Sequence, residues 1–233
     1  MYKILCRFIL ASLILSLTSC GFEKKHNVDD FNASQIKKDV PVFNYGVSGN
    51  NTNDLLKRID SISFSKNSLV IILIGTNDAL NWAGNDINID LFESNYSIIL
   101  NKIYSKTRNV IILSIPKAFD RKILNKYRHG FFSNYKSPKS KVDAYNSRIN
   151  LLASIYKIDI VHTSQIIDEN DYVSDGLHFN DDYYKKLSKL IYNFAKSKNL
   201  KFEDVYCLGD SLTFGAYAIG SYPEYLSDIY NIN

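Results

Sequence analysis

Near the end of this chain an apolar run, Val205-Tyr206-Cys207-Leu208, breaks into Gly209-Asp210-Ser211-Leu212. A serine at the tip of a buried strand faces the crevice in which open α/β sheets bind ligands. An acyl-transfer nucleophile is useful there. The same four residues also suit a strand followed by a capped turn, because Asp and Ser are common turn and cap residues. A base is available upstream. In Asp175-Gly176-Leu177-His178 a carboxylate and an imidazole three apart on a loop converge on one point, the carboxylate holding the ring as a general base requires. A helix-capping segment with an incidental histidine has the same pattern. Two more turns follow apolar runs. The glycines of Gly46-Val47-Ser48-Gly49 allow close backbone approach to a ligand. In Gly75-Thr76-Asn77-Asp78, Asn77 either caps the turn or aims its amide into the same crevice. His26 and His129 belong to no motif, and His162, at the end of a strand candidate, is a decoy for the base.

Each of these turns needs a strand behind it. Residues 41–45, 69–74, 109–115, 158–161 and 205–209 read as short strands. The run 69–74 is apolar throughout, as a parallel strand covered on both faces must be. Helices fall between the strands. Leu55, Leu56 and Ile59 mark one, and Leu91, Ile98, Ile99 and Ile103 mark a second. Ser137-Pro138 supplies the N-cap and first residue of a third, continued by Val142, Tyr145, Ile149, Leu152 and Tyr156 at helical spacing. Tyr183, Leu187, Leu190, Ile191 and Phe194 make the apolar face of a fourth, predicted over 182–198, and Ser221 and Pro223 start a short last one. This alternation predicts an α/β fold with a mostly parallel sheet. Residues 117–141 form a long irregular stretch holding Phe119, Tyr127, Phe131, Phe132 and Tyr135 among basic residues. A loop of that length is either a lid or binding loop, or a solvated insertion.

Together, Gly209-Asp210-Ser211-Leu212, Gly49 after Val47-Ser48, Asn77 in Gly75-Thr76-Asn77-Asp78, and Asp175 with His178 resemble the four blocks of the SGNH (GDSL) hydrolases. The matches span most of residues 41–233. The resemblance implies a three-layer α/β/α, flavodoxin-like fold around a parallel five-stranded sheet. It implies Ser211 as the nucleophile attacking an ester carbonyl, His178 as the base that later protonates the leaving alcohol, and Asp175 as the carboxylate that orients it. The backbone N–H groups of Ser211 and Gly49 and the amide of Asn77 would hold the oxyanion. No metal or organic cofactor is implied, and Asp210 is expected to stabilise the turn. The chain order departs from the family. There the serine block comes first; here it comes last. This looks like a circular permutation, cut between the usual first helix and second strand, with residues 196–204 joining the usual ends. On that reading the strand at 205–209 lies between those beginning at Val42 and Leu69. In the doubly wound order 2-1-3-4-5 the first strand is flanked by the second and third.

The 233 residues are 45% hydrophobic and 22% charged with a net charge of +4. That suits one globular domain and leaves no nucleic-acid footprint. At the N-terminus, Lys3 and Arg7 form a positive n-region and residues 8–17 an apolar h-region. Leu17-Thr18-Ser19-Cys20-Gly21 resembles the lipobox of bacterial lipoproteins, which implies cleavage before Cys20 and its lipidation. The alternative is an uncleaved anchor, although the apolar run is short for a membrane span. The expected organisation is a signal peptide at 1–19, a lipidated cysteine and flexible tether at 20–40, and a hydrolase domain at 41–233, held to a membrane of the bacterial cell envelope. Cys207 lies in an apolar run and behaves as a small hydrophobe; with Cys6 and Cys20 otherwise engaged, no pair remains for an intramolecular disulfide, and no Cys/His spacing suggests zinc. The expected activity is hydrolysis of small acyl or acetyl esters of glycans or lipids. An acyltransferase with the same triad and a non-catalytic surface-binding lipoprotein are the competing readings.

Overall fold

The five apolar runs become five parallel strands. The computed structural model describes residues 39–80, 87–121, 123 and 137–232, all within the unit Lys38–Asn233. Cys20 and the rest of 1–38, and His129, lie outside the described residues. β1 (Val42–Gly46), β2 (Ser68–Leu73), β3 (Val110–Leu113), β4 (Asp159–Val161) and β5 (Asp204–Gly209) stand in the order β1-β5-β2-β3-β4. The last strand in the chain is thus the second in space, flanked by the two strands expected of it. It pairs with β1 from Val42↔Val205 to Gly46↔Gly209 and with β2 from Ser68↔Asp204 to Leu73↔Gly209. All six residues of β2 are buried, whereas β1 at the edge is partly exposed. A strand covered on both faces must be apolar throughout, and an edge strand need not be.

Period-2 alternation sends successive side chains to opposite faces. Val70 and Ile72 of β2, with Tyr206 and Leu208 of β5, join one core cluster with α1 (Thr52–Arg58), α3 (Ile89–Tyr104) and α4 (Pro138–Tyr156). Leu69, Ile71 and Leu73 of β2, with Val205 and Cys207, meet Tyr183, Leu187 and Ile191 of α5 (Asp181–Ser197) and Tyr222 of α7 (Tyr222–Ile232) on the other face. The result is an α/β fold with a five-strand parallel sheet flanked by helices. Two short helices follow strands: α2 (Thr76–Leu80) after β2 and α6 (Ser211–Phe214) after β5.

The helices start where their caps dictate. Ser137 as N-cap and Ser140 at the third helical position form a capping box around Pro138, as a Ser-Pro start predicts. The helix marked by Leu91, Ile98, Ile99 and Ile103 is α3, with Ile99 and Ile103 buried. Leu91 and Ile98 are 44% and 41% exposed; the buried stripe is Phe92, Tyr96, Ile99, Leu100 and Ile103. Successive residues on a helix point about 100° apart; with Ile99 and Leu100 both buried, Ile98 points away from the core. Within 117–141, residues 120, 121 and 123 have helical backbone, and 124–136 lie outside the described residues.

The start and end of the described chain meet at one end of the sheet: the Val40 N–H donates to Asn231 Oδ1 at 3.0 Å. Deleting residues 201–233 removes β5 and leaves the facing edges of β1 and β2 unpaired. The expected product is insoluble or molten, with near-UV circular dichroism lost. Moving residues 200–233 ahead of Pro41 cuts only a polar connection and is expected to keep a soluble, cooperatively melting domain. A collapsed product there would mean that the 198–204 connection is itself structural.

Candidate active site

The site is built at the carboxyl ends of β1, β5 and β2. β5 stops at Gly209, where a Cβ would lie 2.2 Å from both Leu73 O and Thr213 Oγ1. Only glycine lets α6 start so close to the sheet. Asp210 caps α6, accepting from the Leu212 N–H at 2.9 Å, in keeping with its expected role in the turn. Ser211 follows as the first helical residue, buried at the crevice.

Asp175 and His178 reach the same point on a hairpin-like loop. Tyr172 and Phe179 pair as an antiparallel bridge, and the Val173 N–H donates to His178 O at 3.0 Å. Inside the loop, Asp175 Oδ1 accepts the N–H groups of Leu177 and His178, each at 2.9 Å. Its Oδ2 lies 2.7 Å from His178 Nδ1, and His178 Nε2 lies 2.9 Å from Ser211 Oγ. Burial alone would raise the Asp175 pKa; the His178 ring, the two backbone donors and the imidazole charge outweigh it and hold the carboxyl down to about 2. An ionised carboxylate only accepts hydrogen bonds, so the Nδ1 it faces carries the proton and Nε2 is left to accept from the serine.

The opposite wall carries the other two candidates. Gly49 follows β1 with φ +80°, a left-handed conformation that favours glycine. Asn77, in α2 after β2, donates one amide hydrogen to Asn50 O at 2.8 Å. That bond orients the amide and leaves its second hydrogen available. Among the described residues, neither the Ser211 nor the Gly49 N–H is spent on an intramolecular acceptor. Gly49, Asn77, His178, Ser211 and Tyr217 line one cleft of about 410 Å³. The structure therefore brings together all five residues singled out from the sequence. It leaves His162 apart: that residue is exposed and precedes a 3₁₀ turn at Thr163–Ile166. Among the described residues, no cluster of His, Cys, Asp or Glu could hold a metal ion.

Sequence reasoning missed the residues that tie this wall down. Asp78 accepts the Thr52 N–H at 3.1 and 3.0 Å and the Thr52 hydroxyl at 2.5 Å. Arg58 donates to Asn50 Oδ1 at 2.9 Å and, through Nη2, to Tyr45 O at 2.9 Å and Gly209 O at 3.0 Å. The loop after β1 is thus fastened to α2 and to the end of β5. Asp78 had a signal, an acid directly after Asn77 at the end of a buried strand; Arg58 had none. Asp78 and Asp210 are both fully buried. Burial raises Asp78 to about 6 against the pull of the Thr52 bonds. Burial also raises Asp210 to about 7, helped by the Asp78 charge and opposed by the Leu212 N–H and the Thr76 hydroxyl. That hydroxyl acts on Asp210 only as a nearby dipole, because Thr76 Oγ1 and Asp210 Oδ2 both lack a partner at hydrogen-bonding geometry.

The sequence profile of the GDSL-like lipase/acylhydrolase family matches residues 16–186, a stretch that holds Gly49, Asn77, Asp175 and His178 and stops before Ser211. Among solved structures, a GDSL-like lipase from Bacteroides thetaiotaomicron is similar with a TM-score of 0.50 at 24% identity, covering 66% of this chain and 74% of the lipase. A catalytic mutant of an acetylxylan esterase from Geobacillus stearothermophilus gives 0.50 at 14% identity, covering 64% and 68%. The lipase/acylhydrolase from Enterococcus faecalis gives 0.49 at 20% identity, covering 64% and 72%. No curated protein sequence matches the chain. Fold and family together make this an ester-hydrolysing enzyme of the SGNH hydrolase fold. More particularly, the chain belongs to the GDSL-like lipase/acylhydrolase family.

The two buried acids carry a sign that can be measured. Asp78 and Asp210 hold their protons more tightly folded, at about 6 and about 7, than at the ordinary value of 3.8. Their stabilising effect is complete below about pH 4 and is lost as pH rises through 6 to 7, by up to roughly 1.4 kcal/mol per pH unit for each titrating group. Relative to Asp78→Asn/Asp210→Asn, the wild type should gain stability in urea melts between pH 7.5 and pH 5. Parallel pH dependences would show that the two carboxyls titrate normally.

Proposed function

We propose that this enzyme is a serine esterase of small acyl esters, acetyl esters of glycans or lipids among them, with Ser211 as nucleophile, His178 as general base and Asp175 as its orienting partner. The observation that carries the reading is the continuous relay from Asp175 Oδ2 through the imidazole to Ser211 Oγ, with spans of 2.7 and 2.9 Å, opening into the cleft. Ser211 Oγ attacks the carbonyl carbon and its proton passes to Nε2; the imidazolium then protonates the leaving alcohol. Asp175, ionised throughout the neutral range, stabilises that cation. The Ser211 and Gly49 N–H groups and the free Asn77 amide hydrogen receive the oxyanion, where preorganised donors are worth most. Water then resolves the acyl-enzyme. No cofactor takes part in these steps.

The chain is a circular permutant of its family on this reading. Supporting it are the family match that ends before the serine block, the sheet order that puts β5 between β1 and β2, and the hydrogen bond from Val40 to Asn231. Joining those ends and opening the chain within 196–204 would put the serine strand first. Residues 1–19 act as a lipoprotein signal peptide, Cys20 as the lipidated residue, residues 20–40 as the tether and 41–233 as the hydrolase domain, anchored to a membrane of the bacterial cell envelope. The support is the basic n-region, the short apolar run and the Leu17–Cys20 sequence.

Ser211→Ala and His178→Ala are each expected to remove ester hydrolysis by roughly 10⁴ or more, since triad members act as a unit. If instead His162→Ala abolishes turnover and His178→Ala does not, the base is misassigned. Asn77→Ala should lower kcat by roughly 10²–10³ with little change in KM; a pure KM effect would make Asn77 a substrate-positioning residue. In cells, Cys20→Ala should move the protein out of the membrane fraction or leave it as a precursor, whereas mature soluble protein with an unmodified Cys20 would end the lipoprotein reading.

A further inference from the structure

The segment after Ser211 is built around one strained residue. Tyr217 has φ +69°, a left-handed conformation that is a true outlier for a bulky side chain. Such strain persists where the surroundings over-determine it, and it clusters at functional sites. Here the neighbours are pinned on both sides. The N–H groups of Gly215 and Ala216 donate to Ser211 O at 3.0 Å each, and that of Ala218 to Gly215 O at 3.2 Å. The N–H groups of Ile219 and Gly220 donate to the Asp181 carboxylate at 3.2 and 2.9 Å. The held loop does not bury the tyrosine. Its side chain is 72% exposed, with its ring centroid 4.7 Å from that of His178 at an interplanar angle of 49°.

The geometry points to Tyr217 as the specificity-determining residue of the leaving-alcohol subsite, and to a sugar as the alcohol it selects. This inference rests on the assignment of Ser211 and His178 as nucleophile and base. In the acylation step a bond forms between Ser211 Oγ and the carbonyl carbon. The bond from that carbon to the alcohol oxygen breaks, and the proton taken from Ser211 passes from Nε2 to that oxygen. The departing oxygen must therefore come within hydrogen-bond reach of Nε2, and whatever it is attached to lies beside the ring that flanks the imidazole. On the oxyanion side the cleft is walled by Ser48, Gly49 and Asn77, small or polar residues that suit a short acyl group. On the imidazole side stands Tyr217, exposed against the His178 ring; Phe214, also exposed, lines the same cleft. An aromatic body with a polar tip matches a pyranose ring, whose C–H face packs on the tyrosine while its hydroxyls meet the phenol and water. Leu177 and Ala216 also line the cleft, so a long alkyl alcohol is the competing occupant that the test must include.

The test holds the acyl group constant and varies the alcohol: ethyl acetate, 1-octyl acetate and a mono-O-acetylated methyl glucoside. The wild type is expected to favour the sugar ester over octyl acetate by tenfold or more in kcat/KM. Tyr217→Gly suits the backbone conformation and removes the ring; Tyr217→Leu keeps bulk without the aromatic face. Both should lower the sugar-to-ethyl selectivity ratio by about tenfold, and Tyr217→Phe should lower it less. A ratio unchanged in Tyr217→Gly, or a wild type that prefers octyl acetate, overturns the proposal while leaving the esterase assignment standing. A wild type that cleaves none of the three acetates overturns that assignment and the Tyr217 proposal with it.

Discussion

The pairing of β5 with both β1 and β2 is the constraint on which the site depends. Gly46, Gly209 and Leu73 stand level across three strands, so the turns that follow them begin at one height on the sheet. Ser211, Gly49 and Asn77 are delivered by those three turns. Their mutual distances are thus set by backbone hydrogen bonds in the middle of the sheet, with side-chain contacts refining the last ångström. Arg58 adds to this by bonding the carbonyls of Tyr45 and Gly209 at once, clipping two of the three turns together from the helical side.

The buried acids around the site are sorted by what each can accept. Asp175 collects two backbone N–H groups and an imidazole, which more than offset its desolvation. Asp210 has one backbone donor, with its second oxygen unpartnered, and burial wins. Asp78 sits between them, with three contacts from a single threonine. One site thus holds a carboxyl that stays ionised and two that take up protons near neutrality. The difference follows from counting donors, since a charge removed from water must be met by hydrogen bonds or be neutralised.

Much of this was legible in the sequence because the relevant signals are local. Continuous apolar runs marked β2 and β5, Ser137-Pro138 marked the start of α4, and Gly49, Asn77 and Ser211 each sat just beyond a strand. What was not legible depends on long-range placement. Nothing about Arg58 foretells that it will span Asn50, Tyr45 and Gly209. Tyr217 reads as an ordinary tyrosine in a small-residue loop until its backbone angle and its contact with His178 are known. The extent of α3 was legible from its apolar residues, but which of them face the core was not: Leu91 and Ile98 are exposed while Phe92 and Tyr96 are buried.

The chain order has a consequence for how the enzyme comes into being. The strand that carries Ser211 is synthesised after the other four strands of the sheet, yet its partners include β1, so that Val205 must find Val42. Loop closure over most of the domain is slow and is rewarded only once the distant contact forms. A chain emerging from its N-terminus exposes the edges of β1 and β2 for the whole of that interval, which gives a folding chaperone or an aggregation partner its opening. With the roles proposed for Ser211 and His178, the same delay separates nucleophile from base: histidine, carboxylate and amide are all made before the serine. On that proposal, esterase activity is acquired in one step, with β5, and its onset reports the closing of the sheet.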